Sequence, residues 1–424
     1  MRRQPSGRGS KCSGIDMADL QKPHTDGLIP PHGGRLNPRL VQGSERSEIL
    51  EKACGLQRVA LSTREESDLV LLGSGAYSPL AGFLCGEDYR AVLDSLHLAD
   101  GTLWPLPVTV SISSRQAALL SPGEEVALVS KGDSGSDAIL AIMVLQDVFA
   151  YDKELEAGAV FRTTDRAHPG VAALHDQHEL YVGGPVTVVS EGRYPTDYPE
   201  YARPEETRRI FAGRGWTSVA AFQTRNPLHR SHEYLMKTAL ETSDGLLLHP
   251  VVGRLKPGDI PAEVRMRCYR VLLERYFPQD RVVLSVYPLE MRYAGPREAL
   301  LHAVIRQNFG CNRIIIGSDH AGVGSYYGPF DAQSILDEIP DGELAIAALK
   351  LDHAFWCRRC GGMASRKTCP HPEADHMAIS GTELRAMLSA GRLPPAEFSR
   401  PEVIDILKQY YRREAERPVS EVKP

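Results

Sequence analysis

The stretch FQTRNPLHRSHEYL, residues 222 to 235, sets a glutamine, two arginines, an asparagine and two histidines directly behind the apolar run SVAAF. An apolar run of that length reads as a strand ending near Thr224, and Asn226-Pro227 is a favoured N-cap followed by a first-turn proline, which predicts a helix starting there. The first N–H groups of a helix have no intrahelical partner, and the macrodipole places partial positive charge at the same point, so the junction suits an anion. Arg225 adds a full charge. His229 and His232 are three residues apart, on one helical face near that end. A polyphosphate would use all of these groups. Metal ligation is the weaker reading of the pair, because HxxH lacks the glutamate and the i, i+4 spacing of the zinc hydrolases.

A second constellation begins at NRIIIGSD and runs into HAGVGSYYGPFD, with Asp319 and His320 at a strand end and Gly322 and Gly324 available for close backbone approach to a ligand. If both strands belong to one parallel sheet, both sets of residues lie on its carboxyl-end rim and face one pocket.

The elements that must position them change character along the chain. Residues 1 to 26 are basic and rich in Gly, Ser and Pro and read as a disordered extension, with Met17 a candidate initiator. From 27 to 185 short β-rich runs (LPVTVSIS, EEVALVS, AIMVLQDVFAYD, GPVTVVS) are separated by Gly/Pro/Asp turns, with helices near 46–54 and 86–95, which predicts a compact β-rich domain. After the proline-rich RYPTDYPEYARPEE the pattern becomes strands (SVAAFQT, DGLLLHPVV, DRVVLSVYP, NRIIIGSD) alternating with amphipathic helices, the signature of a parallel α/β sheet over 186–344. Residues 345–424 form a small third region, in which Ser380 and Glu383 are spaced as a capping box.

That last region holds CRRCGGMASRKTCPHPEADH, a C-x2-C-x8-C pattern with histidines at 371 and 376. Cys357, Cys360, Cys369 and one histidine would complete a tetrahedral Cys3His zinc site, with His376 favoured as the fourth ligand and His371 the runner-up. Such a closed site is structural and does no catalysis. The remaining cysteines show no ligand spacing. Eight cysteines in a long chain, three of them clustered between Cys357 and Cys369, fit a reducing compartment, and the cytoplasm is the expected location.

Bulk properties exclude several classes. The net charge of −5, with 42% hydrophobic and 24% charged residues, belongs to a soluble globular protein and gives no global attraction for nucleic acid or an acidic membrane. No apolar stretch approaches the ~20 residues needed to span a bilayer. No G-x-x-x-x-G-K-[ST] occurs, so a P-loop enzyme and a fused adenylylsulfate kinase are not expected. A nucleic-acid-binding protein, the non-enzymatic alternative, is disfavoured by the charge and by the lack of an interleaved basic–aromatic stripe.

Taken together, QTRNPLHRSH, RLKPGDIP, MRYAGPREALLHAVIRQNFGC, GSDHAGVG, ISGTELR and EFSRPEV resemble the sulfate adenylyltransferase (ATP sulfurylase) family, and the likeness reaches back to PPHGGRLNPRLV, GAYSPLAGFL and DGTLWPLPVTV, so that it spans about residues 27 to 412. The resemblance implies a PUA-like N-terminal domain, a nucleotidyltransferase domain of Rossmann-like α/β type and a small C-terminal domain, in which some family members carry a structural zinc. It implies transfer of adenylyl from ATP to sulfate, giving adenosine 5′-phosphosulfate and pyrophosphate, with Mg²⁺ arriving with ATP and a homodimer as the expected assembly. An adenylyltransferase with another acceptor is the alternative. By the same resemblance Gln223, Thr224, Arg225 and Asn226 hold sulfate and the α-phosphate. His229 and His232 bind the departing pyrophosphate. Gly317, Ser318, Asp319 and His320 contact nucleotide, and Ala321 adjoins sulfate. The family's second motif reads G-R-D-x-A-G, and here Ser318 stands in place of the arginine. Losing one charge-assisted hydrogen bond costs about 1.5–3 kcal/mol, which predicts a weakened site, with Arg292, Arg297 and Arg313 as candidates to restore the charge.

Overall fold

The computed structural model describes residues 27–130, 137–254, 259–377 and 390–416, together with 379, 383, 384, 386 and 387. The extension before residue 27, Met17 and the Ser380 capping position lie outside the described residues.

The first region is built on strands β1 (Gln57–Leu61), β2 (Gly82–Phe83), β3 (Val110–Ile112), β4 (Glu125–Ser130), β5 (Ala138–Val144), β6 (Asp147–Ala150) and β7 (Leu180–Val188). They hydrogen-bond in the order β1-β4-β5-β7-β2, with β3 and β6 also on β7, antiparallel except for β1 with β4. Close crossing of these strands needs glycine: a Cβ on Gly184 would lie 2.0 Å from the Val144 carbonyl oxygen. Helices Gly43–Ala53 and Gly86–Ser95 fall where the sequence places them. A third helix, Thr63–Gly73, is buried along most of its length. It opens on a Ser62/Glu65 capping box, a signal legible in STREESDLVLLG but masked by apolar residues too dense to show a clear helical stripe.

The second region is a five-stranded parallel sheet of β8 (Val219–Thr224), β9 (Gly245–Pro250), β10 (Val282–Leu284), β11 (Arg313–Ile316) and β12 (Ala347–Lys350). The strand order is β10-β9-β8-β11-β12. The chain therefore builds outward from β8 in one direction and then returns to build outward on the other side, which makes the gap between β8 and β11 the topological switch point where ligands bind in such sheets. Strand β12 carries the series one strand past NRIIIGSD. Only Ala220–Arg313 and Ala221–Ile314 pair across β8 and β11, so the two strands part before their carboxyl ends and leave a crevice.

Helix Pro296–Asn308 packs against this sheet and is buried almost all round, its polar residues Glu298, His302, Arg306, Gln307 and Asn308 included. Its last residue ties the two regions together: Asn308 Nδ2 donates to the Ala76 and Ser78 carbonyls, and its Oδ1 accepts from the His32 N–H. A buried Asp68–Arg292 pair at 2.6 Å adds a second tie, with Tyr77 Oη donating to Asp68 at 2.8 Å. One apolar core runs continuously from the first region into the parallel sheet, and a second covers the opposite face of that sheet under the helix Pro401–Glu416. A small antiparallel sheet, β13 (Ala354–Cys357), β14 (Gly362–Ser365) and β15 (His376–Met377), precedes that helix in the chain, with the Arg230 guanidinium 6.0 Å above the Trp356 ring. Among the described residues no helix is long and apolar enough to cross a membrane.

Candidate active site and metal cluster

Strand β8 delivers Gln223 and Thr224 to the crevice, but the following helix is Arg230–Leu240 and does not start at Asn226-Pro227. Thr224 explains the delay. Its hydroxyl accepts from the Asn226 N–H and donates to the Asn226 carbonyl, both at 3.1 Å, and Tyr269 Oη donates to the same carbonyl at 2.8 Å. These bonds hold Asn226 in a turn, and a turn is an alternative to helix for short polar residues. The N-cap is therefore His229, in extended conformation, whose backbone N–H donates to Nδ1 of His232 at 3.1 Å. The Arg230 N–H is also taken, by the Phe398 carbonyl at 3.0 Å. Two of the helix-start donors that the sequence offers to an anion are thus occupied within the protein, and the side chains carry more of the anion-binding task.

Burial favours the neutral imidazole at both histidines. Burial lowers His229 well below its ordinary value, with His232 adding to the effect, and burial followed by the nearby His353 brings His232 down to about 4. His353, between β12 and β13, escaped the sequence reading because it belongs to no motif. Arg225 reaches across the crevice: its guanidinium lies 4.9 Å over the Tyr293 ring and Nη2 donates to the Gly322 carbonyl at 3.4 Å. It pairs with no carboxylate among the described residues, so its charge remains available to an anionic ligand.

The loop after β11 is strained. Asp319 and Ala321 hold φ of 53° and 59°, unusual for residues with a Cβ, and a Cβ on Gly322 would lie 2.0 Å from Asp319 Oδ1. Gly317 borders open space, since a Cβ there would meet nothing within 4 Å. His320 turns inward, with Nε2 3.1 Å from Nδ1 of His302, whose own Nε2 is 3.4 Å from Gln223 Nε2. A chain of side chains under the crevice floor thereby links the two sequence motifs. Burial lowers His302 well below its ordinary value, and burial followed by Arg306 and Arg225 lowers His320 to about 3. His302 and Arg306 lie in LLHAVIRQN, where polar residues interrupt an apolar helix. That interruption is the signal that could have found them.

The cysteine cluster is equally definite in geometry. Cys357, Cys360, Cys369 and His371 bring their ligand atoms within 4.8 Å of one another. Cys360 Sγ lies 3.7 Å from Cys369 Sγ and 3.2 Å from His371 Nδ1, and Cys369 Sγ lies 3.7 Å from the same nitrogen. Donors at about 2.0–2.3 Å around a tetrahedral ion are separated by about 3.3–3.8 Å, so the four fit an ion such as zinc. The expectation of His376 as the fourth donor is corrected. Pairing of β15 with β13 stacks the His376 ring on Phe355 at 3.7 Å, which takes it out of the cluster, while the turn after Cys369 brings His371 in.

Comparison with known proteins is decisive about descent. The ATP-sulfurylase family model matches residues 200–410, and a PUA-like domain model matches 29–191. The chain is 51% identical over 385 residues to the sulfate adenylyltransferase of Desulforamulus reducens, covering 91% of this chain and 98% of that protein. The sulfate adenylyltransferase of Chlorobaculum tepidum is 51% identical over 387 residues, covering 91% and 95%. The chain belongs to the ATP-sulfurylase family. A solved structure titled hexameric APS kinase from Thiobacillus denitrificans superposes with a TM-score of 0.70 at 27% identity, over 90% of this chain and 68% of that one. The mixed sheet of β1 to β7 is accordingly a PUA-like domain and the parallel sheet an α/β domain of nucleotidyltransferase type.

None of the three arginines expected to compensate for Ser318 points its charge at the crevice. Arg292 is committed to Asp68, Arg297 to the Val92 and Leu93 carbonyls, and Arg313 to Ser218, Ser243 and the Thr242 carbonyl. Arg225, which reaches Gly322 across the crevice and pairs with no carboxylate among the described residues, keeps its charge there.

Proposed function

We propose that this chain transfers the adenylyl group of ATP to sulfate, and that it does so by direct in-line displacement. A sulfate oxygen attacks the α-phosphorus, the bond from that phosphorus to the β-bridging oxygen breaks, and pyrophosphate leaves with the electron pair. Sulfate is already ionised and needs no general base, so the work of the protein is to orient two polyanions and to stabilise charge on the leaving oxygen. Gln223, Thr224, Arg225 and Asn226, at the end of β8, would hold sulfate and the α-phosphate, with Ala321 beside sulfate. Gly317, Ser318, Asp319 and His320 would meet the nucleotide, where open space beside Gly317 admits backbone contact.

His229 and His232 would hold the departing pyrophosphate as neutral N–H donors. Burial accounts for their neutrality, and it leaves the balancing of phosphate charge to Arg225 and to Mg²⁺ brought by ATP. Zinc held by Cys357, Cys360, Cys369 and His371 would brace the small sheet against the histidine-bearing helix and take no part in the chemistry.

The observation that carries this reading is the convergence of both motifs on the switch point between β8 and β11, bridged by Arg225 to Gly322. The test is ATP formation from adenosine 5′-phosphosulfate and pyrophosphate with Mg²⁺. ATP should appear only with both substrates, and His229→Ala should lower kcat/KM by about 10²–10³, the cost of removing one donor to a developing charge. Absence of ATP from folded, zinc-replete protein would overturn the assignment.

A further inference from the structure

The five residues Ala396–Arg400, AEFSR, lie more than 160 positions beyond the first turn of the histidine-bearing helix and yet contact it repeatedly. The Ala396 carbonyl accepts from Arg230 Nε at 2.6 Å, and the Phe398 carbonyl takes the Arg230 backbone N–H. The Phe398 ring lies 4.3 Å from the His229 ring at 34°. Arg400 makes two bonds, of 2.8 and 2.7 Å, to the buried Glu233 carboxylate. Between these contacts Ser399, 1% exposed, places its Oγ 3.3 Å from His229 Nδ1. General packing would account for the first four contacts. It does not call for a hydroxyl on the imidazole.

The protonation pattern follows from what each nitrogen meets. A neutral imidazole carries its proton on one nitrogen and a lone pair on the other, and the partner decides which. His232 is settled by its neighbour: the His229 backbone N–H can only donate, so His232 Nδ1 is an acceptor and its proton is on Nε2. For His229 the hydroxyl decides: among the described residues Ser399 Oγ has no hydrogen-bond partner other than His229 Nδ1, so this buried O–H finds an acceptor only if that nitrogen carries a lone pair. A serine hydroxyl is able to donate to that lone pair.

We propose that Ser399 is a positioning residue: its hydroxyl donates to Nδ1 of His229 and locks this ring as the Nε2–H tautomer, so that His229 and His232 offer two matched Nε2–H donors to a pyrophosphate-like anion. The C-terminal segment is then a constituent of the anion site, although it contributes no ligand contact of its own. This deepens the proposed adenylyl transfer and rests on it for the identity of the anion. The tautomer itself is a property of the protein without substrate.

The test uses the full chain and its Ser399→Ala and Ser399→Cys variants, the second keeping the size and a weak donor. Long-range ¹⁵N–¹H spectra of the histidine rings at neutral pH should show both His229 and His232 as Nε2–H in the parent. In Ser399→Ala, His229 should move to a mixture of tautomers while His232, held by a backbone donor, does not change. In the ATP-forming assay, kcat/KM for pyrophosphate should fall about threefold to tenfold in Ser399→Ala, the worth of one neutral hydrogen bond, and recover in part in Ser399→Cys. The KM for adenosine 5′-phosphosulfate should stay where it is. A parent His229 carrying its proton on Nδ1, or an alanine variant with an unaltered His229 spectrum, overturns the inference whether or not the protein makes ATP. An equal loss in both substrates' parameters would mean that the serine supports the fold alone. A parent that makes no ATP fails the proposed function and leaves the spectra to judge the tautomer.

Discussion

Restoring arginine at position 318 should raise the activity of this protein. Ser318 is half-buried in the loop between β11 and the strained Asp319, and its own backbone is not left-handed, so a longer side chain there meets no conformational penalty of the kind Asp319 and Ala321 already bear. The size of the gain depends on whether another cation already does the work. Arg292, Arg297 and Arg313 are each engaged elsewhere, and Arg225 bridges to Gly322 from the opposite strand. The full value of one charge-assisted hydrogen bond, about 1.5–3 kcal/mol, is therefore open to recovery. At about 1.4 kcal/mol per factor of ten, Ser318→Arg should raise kcat/KM for ATP formation from adenosine 5′-phosphosulfate and pyrophosphate by roughly one to two decades. Ser318→Lys should gain less, because a point charge lacks the fork of a guanidinium. The assay is initial-rate ATP production at matched zinc content for parent and variants. A change below threefold in Ser318→Arg, with the fold intact, would refute the argument and show that the crevice already has its full complement of charge.

Acid should destabilise the fold through its buried histidines. The folded-state values of His229, His232, His302 and His320 are lowered, His232 to about 4 and His320 to about 3, so unfolding below the ordinary value near 6.5 takes up protons that the folded protein does not bind. Stability is then complete above about pH 6.5 and falls as pH drops from there towards 4, by up to about 1.4 kcal/mol per pH unit for each ring. Denaturant titrations at several pH values would show this, and a flat profile between pH 6.5 and 4.5 would contradict it. Metal content should distinguish the two histidines of the small sheet, with His371→Ala losing zinc by elemental analysis and His376→Ala retaining it; the reverse pattern would reject the cluster described above. Asp68→Ala should cost about 3–5 kcal/mol in unfolding, because it leaves the Arg292 guanidinium buried without its carboxylate, and a loss under 1 kcal/mol would mean that the pair is not a tie between the two regions.

Much of the site was legible in the chain alone, because it is local in sequence. A strand that ends in Gln-Thr-Arg-Asn, a histidine pair on the next helix and a glycine-rich turn after a later strand each declare themselves through short-range rules, and strand–helix alternation implies that their ends share a rim. The C-x2-C-x8-C spacing likewise announced a cysteine–histidine cluster able to hold a metal ion. The later start of the helix was not legible, since it depends on Tyr269, from another helix, reaching the Asn226 carbonyl. The fourth donor was decided by strand pairing, which sends His376 onto Phe355 and frees His371. Nor could composition choose among three arginines at position 318, for each is removed by a partner far away in sequence. His302, Ser399 and Arg400 enter the site or its supports only because helices and termini distant along the chain pack together. Local bonding rules act over a few residues and can be read in order, whereas long-range contacts depend on which surfaces the whole fold buries against each other.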